Sequence, residues 1–162
     1  MGSEPSLQND FLAPHVERLA RSFAGWTGRS LGPPASDGVA AAAALYQAPF
    51  VVVSHGTEVD PIFNYGNLKA QELFQMTWDQ LTSIPSRCSA EPLEQAERER
   101  LMTAVRQHGF INDYRGVRVS AKGDRFLIEQ AIVWNVIDDR DQLVGQAAMF
   151  DRWTPVGAAE TV

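Results

Sequence analysis

Few side chains in this sequence could do covalent or metal chemistry, and their spacing argues against it. His15, His55 and His108 are the only histidines, and they lie far apart without the paired spacing with which histidines hold a metal. His108 reads as a favourable charge near a helix C-terminus, and His55, beside Gly56, as a turn residue. Ser54, His55 and Asp60 have the residue types of an acyl-transfer triad. Adjacent residues on an extended chain point apart, however, and no Gly-x-Ser-x-Gly elbow is present. Asp113 and Glu129 could work as paired carboxylates only if the fold joined them, and each reads as a solvated strand residue. Cys88 reads as a packed, unreactive thiol. No catalytic residue and no metal site are therefore expected. Binding is the better prospect, because Asn64, Tyr65, Tyr114, Trp134, Asn135 and Gln146 place polar or aromatic groups in or near otherwise apolar strands. Buried polar groups need partners, and a pocket can supply them from a ligand as well as from the protein. That these groups satisfy one another or the backbone stays open.

The elements that must position them alternate helix and strand signals. From Asp10 to Trp26 the apolar residues fall on a helical stripe, with Asn9 or Asp10 as N-cap and Pro14 in the first turn. Gly32-Pro33-Pro34 breaks it, and the alanine-rich run Val39 to Tyr46 starts a second helix. Phe50 to Val53 is a β-branched strand, and Asp60 to Tyr65 a second one. Leu68 to Met76, after Asn67, and Trp78 to Leu81, capped by Thr77, are short helices. A longer helix runs from Glu91 or Pro92 to Gln107, with Glu91, Glu94 and Glu97 early, Arg106 and His108 late, and Gly109 as its stop. Phe110 to Ser120, Arg125 to Ile137 and Leu143 to Trp153 form a three-strand meander. In the middle strand Phe126, Ile128, Ile132, Trp134 and Val136 share one face by simple alternation, and apolar residues also occupy the other, so both faces must be covered.

Composition narrows the classes. With 44% hydrophobic and 21% charged residues over 162 positions, the chain suits one folded domain. A single cysteine allows no internal disulfide, so a cytoplasmic setting is expected. No apolar run is long enough to span a bilayer, and a formal net charge of −6 disfavours nucleic acid.

Ala48 to Thr57 followed by Asp60 to Asn67, the segment Pro85 to Pro92, and the block from Asp113-Tyr114-Arg115-Gly116-Val117-Arg118 through Trp134-Asn135 to Gly145-Gln146-Ala147-Ala148 together resemble the MEKHLA domain. The likeness covers roughly residues 40–153, without the hexapeptide that names the family. It implies a PAS-like α+β fold: a five-stranded antiparallel sheet, short helices across one face enclosing a pocket, and a sensory or regulatory role. In plants the family forms the C-terminal part of homeodomain leucine-zipper transcription factors, whose DNA-binding parts are missing here. Within the wider PAS group, the flavin-binding branch offers a cysteine in an Asn-Cys-Arg-Phe-Leu-type motif and Asn or Gln on the strands. Here Cys88 lies between Arg87 and Ser89, and those strand positions hold Arg118, Ile128 and Phe150. Neither flavin nor haem is expected.

The expectation is thus a helical extension over residues 1–38, a PAS-like domain over 39–155 and a tail over 156–162, acting as a non-catalytic sensor for an unknown small molecule. A homodimer through the N-terminal helix or a sheet face goes with it, the helix stripe preferably meeting a second subunit. The rivals are a small α+β enzyme with a cone-shaped pocket, which would show a carboxylate against an imidazole, and an interaction module with a filled core.

Overall fold

The computed structural model describes residues 3–92 and 95–156. A 3-10 turn, Leu7–Leu12, opens the chain, followed by α1 (Ala13–Thr27), α2 (Gly38–Tyr46), β1 (Val51–His55) and β2 (Phe63–Gly66). Then come α3 (Leu68–Phe74), α4 (Trp78–Leu81), a second 3-10 turn (Ser86–Ser89) and α5 (Gln95–His108). The chain continues with β3 (Phe110–Val119), β4 (Arg125–Ile137), β5 (Leu143–Phe150) and β6 (Trp153–Pro155). All pairings are antiparallel, in the order β2-β1-β5-β4-β3, with β6 beside the first half of β4. The sheet therefore has a sixth short strand, formed where the expected Leu143–Trp153 strand breaks after Phe150.

Local signals explain the helix starts. Asp37, Asn67 and Thr77 each accept a backbone N–H from their own first turn, capping α2, α3 and α4. α1 starts at Ala13, three residues later than the stripe suggested, because Asp10, Phe11 and Leu12 all take left-handed backbone angles (φ 55, 55 and 57°). Pro14 then sits in the first turn, where its missing N–H has no cost. α5 begins after Glu91 and Pro92, not at them, because the Glu91 N–H bonds the Val117 carbonyl and its carboxylate pairs with Arg125. Glu94, assigned to that first turn, lies outside the described residues, as do residues 157–162 of the tail. Gly109 does end α5, at φ +82°, and a Cβ there would strike the Trp26 ring.

Each face of the sheet has its own core. On one, Ala70, Phe74, Leu81 and Val105 from α3, α4 and α5 meet Val51, Val53, Phe126, Ile128 and Val133. On the other, Val16, Leu19 and Phe23 of α1 and Leu45 of α2 meet Val52, Ile132, Trp134 and Val136. The stripe of α1 is thus buried on its own sheet rather than held for a second subunit. Polar clamps fix it: the Trp134 indole N–H donates to the Leu19 carbonyl (3.2 Å), that of Trp26 to the Asn135 carbonyl (2.8 Å), and the Ile137 N–H to Ser22 Oγ (2.9 Å).

β4 does not alternate simply, which corrects the grouping of its apolar residues. Between Ile128, opposite Gly116, and Ala131, opposite Tyr114, it carries one extra residue, and Gln130 adopts φ +53°. This bulge moves Phe126 and Ile128 to the face opposite Ile132, Trp134 and Val136. β3 bulges in turn between Ile111 and Tyr114. Tyr114 stands between the two irregularities.

Candidate functional site

A cavity of about 220 Å³ lies between the sheet and the helical layer. Val53, Val133 and Gln146 of the sheet line it, with Phe63 at one side, Tyr114 and Arg118 of β3 at the other, and Leu101 of α5 above. The second 3-10 turn closes it through Ser86, Arg87 and Ala90. That segment is held at both ends: Pro85 bridges Ile62, the Ser86 N–H donates to the Pro61 carbonyl (2.8 Å), and Ala90 bridges Arg118. A wider surface groove, about 480 Å³, is lined by ion-paired residues, Arg100 reaching both Glu97 (2.8 Å) and Asp113 (2.9 Å).

The six binding candidates divide between the two sides of the sheet. Tyr114 and Gln146 line the cavity, and Asn135 joins them because Gln146 Nε2 donates to Asn135 Oδ1 (3.3 Å). Asn135 Nδ2 donates to the Val105 carbonyl of α5 (3.2 Å). Asn64, Tyr65 and Trp134 belong to the opposite side. Trp134 is fully buried against Phe23, ring centroids 4.8 Å apart. Tyr65 is fully buried beside Trp78 and His15, its hydroxyl has no hydrogen-bond partner among the described residues, and burial raises its pKa. Asn64 is exposed, yet its Oδ1 accepts the Ser54 hydroxyl (2.5 Å).

Ser54 also faces His15, with Nε2 to Oγ at 3.0 Å. Since the Ser54 proton goes to Asn64, His15 must donate its Nε2–H, so it cannot act as a base towards this hydroxyl. Burial, aided by the Arg18 charge, pushes the His15 pKa down from 6.5 to about 4. A folded pKa below the unfolded one means that the unfolded chain binds the extra proton between these values. Stability is therefore full above pH 6.5 and falls as pH drops to 4, by about 3 kcal/mol. Chemical denaturation of the wild type and His15→Gln from pH 7.5 to 4 should show this loss in the wild type in excess of the variant. Parallel curves for the two proteins would contradict it.

The other reactive groups stay apart. His55 lines the cavity, but its Nδ1–H is tied to the Gly56 carbonyl (2.9 Å). Asp113 pairs with Arg100 and Glu129 with Arg115 (3.7 Å), so the two carboxylates each have an arginine. Cys88 is exposed beside the cavity roof and does not line the cavity. Among the described residues no group of three His, Cys, Asp or Glu side chains could hold a metal ion, and no helix is long and apolar enough to cross a membrane. Sequence reasoning missed Arg118 and His55 as cavity residues. The only signal for Arg118 was a charge where the flavin-binding pattern has an amide.

An antiparallel sheet ordered 2-1-5-4-3, with short helices closing a cavity against one face, defines a PAS-like domain. Solved structures agree. A PAS domain from Colwellia psychrerythraea matches with a TM-score of 0.56 at 16% identity, covering 71% of this chain and 92% of that one. The LOV domain of the blue-light activated histidine kinase of Erythrobacter litoralis matches at 0.53 and 15% identity, over 68% of this chain and 98% of the other. An RNA-binding light-oxygen-voltage receptor matches at 0.59 and 17% identity, covering 76% of this chain and 36% of its own. No curated protein matches the sequence. The MEKHLA domain model matches residues 13–155, and the chain belongs to that family. The match takes in α1 as well as the sheet.

Proposed function

We propose that this chain is a sensory module that binds a small molecule in the cavity beneath the second 3-10 turn and passes the binding to α1 without catalysing a reaction. The cavity carries the reading, since an interaction module with a filled core would have none. Its volume of about 220 Å³ is below the roughly 300–1,000 Å³ of sites for drug-sized ligands, which favours a small ligand over a flavin or haem. The enzyme alternative lacks support, because among the described residues no Asp or Glu lines the cavity to meet His55.

Asn135 supplies the link across the sheet. Its side-chain oxygen takes the Gln146 amide on the cavity side, and its backbone carbonyl takes the Trp26 indole N–H on the α1 side. A ligand that engages Gln146 would favour one setting of Asn135, and so one seating of α1, by population shift. A homodimer would read out that shift on the outer surface of α1.

Native mass spectrometry of the protein as purified from cells tests the reading. We expect a retained small molecule that is released on denaturation and excluded by Val133→Trp, which fills the cavity. A bare mass, with a melting temperature unmoved by a cell-derived small-molecule fraction, would overturn it.

A further inference from the structure

We infer that the ligand is a small organic monocarboxylate, its carboxylate seated on Arg118 and its apolar body against Val53, Phe63, Leu101 and Val133; this rests on the cavity being a ligand site. The chain carries a formal net charge of −6, yet among the described residues no Asp or Glu lines this cavity, whereas two arginines do. Arg118 is half-buried and joins no ion pair among the described residues. Among the described residues its guanidinium makes one hydrogen bond, a long one from Nη1 to Ser89 Oγ at 3.4 Å, which leaves most of its five N–H donors unused there. A partly desolvated guanidinium without a counter-ion is costly, and a planar carboxylate matches its fork.

The group is also held ready. Its guanidinium carbon lies 6.0 Å from the centre of the Tyr114 ring, and its backbone bridges Ala90. At the mouth, Arg87 gives its Nε–H to Asp60 (3.0 Å), and its two terminal nitrogens make no bond among the described residues. Val53, Phe63, Leu101, Val133 and the alanines give the rest of the wall an apolar majority, interrupted by the uncharged groups of Ser54, Ser86, Tyr114 and Gln146 and by His55. This lining favours an anion with a hydrocarbon body over inorganic phosphate.

The test is a calorimetric and ¹⁵N NMR titration of the full chain with benzoate, phenylacetate, hexanoate and octanoate, the neutral amide of each, and inorganic phosphate. We expect at least one acid to bind saturably with shifts at Val53, Tyr114 and Gln146, and its amide to bind about tenfold more weakly, as loss of one charge-assisted bond predicts. Arg118→Gln should bring the acid to the affinity of the amide without moving that of the amide. If Arg118→Gln does not fold, the comparison of acid with amide on the unaltered chain still decides. An amide equal to its acid, an acid unaffected by Arg118→Gln, or phosphate binding as tightly would overturn the inference and leave the cavity a ligand site. Absence of any saturable cavity shift with every acid and amide would count against both.

Discussion

Deleting residues 1–30 should abolish cooperative folding rather than shorten a tail. Val16, Leu19 and Phe23 are 4%, 0% and 0% exposed, and burying three such side chains is worth about 5–9 kcal/mol. A domain of this size has a total stability of about 5–15 kcal/mol. Deletion also uncovers Val52 of β1, Ala147 of β5 and Ile132, Trp134 and Val136 of β4, an apolar face across three neighbouring strands. The expected result is a truncated chain without a melting transition, or one that aggregates. Light scattering on the intact chain, run alongside, reports whether it is a dimer. A truncated protein melting within a few degrees of the full one would show that the buried face of α1 contributes little.

The second large effect is expected at Asn67, a fully buried side chain that makes four hydrogen bonds. Its Oδ1 accepts the Val52 N–H (3.2 Å) and the Ala70 N–H (3.1 Å), and its Nδ2 donates to the carbonyls of Leu45 (3.1 Å) and Phe50 (2.8 Å). One amide thus caps α3 and ties the end of α2 to the first strand. Asn67→Ala removes all four bonds at a buried site, and at roughly 1 kcal/mol per bond the loss is about 4 kcal/mol. Urea denaturation measures it. A loss below about 1 kcal/mol, the worth of a helix cap alone, would mean that the long-range bonds are dispensable.

Asn67 also shows where sequence reasoning stops. Its place before Leu68 marks it as a cap, because capping is local. Its bonds to Leu45, Phe50 and Val52 join segments whose separation says nothing about their meeting. β4 gives the same lesson within one element. Its limits, Arg125 and Ile137, follow from the turn residues on either side, yet the bulge at Gln130 leaves no trace in a strand apolar on both faces. For this reason the six binding candidates could be chosen as polar or aromatic residues near apolar strands, but not sorted by side. Tyr114, Asn135 and Gln146 met at the cavity, whereas Tyr65 and Trp134 went into the core beneath α1 and Asn64 stayed exposed, bonded to Ser54. His15 and Ser54, 39 residues apart, met by tertiary packing alone. Arg118 was legible only as a departure from another branch's pattern, since an unpaired charge acquires meaning only once its surroundings are known.

The most direct measurement is a ¹⁵N NMR titration of the intact chain with a small-molecule fraction from its source cells, following the backbone amides of Val53, Tyr114 and Gln146 and the indole N–H of Trp26. The cavity amides report binding, and the indole reports the bond to the Asn135 carbonyl that holds α1. We expect saturable shifts at the cavity and a shift of the Trp26 indole that follows the same isotherm. Cavity amides unmoved at every concentration would contradict ligand binding, and saturable cavity shifts with a fixed Trp26 resonance would contradict the coupling to α1.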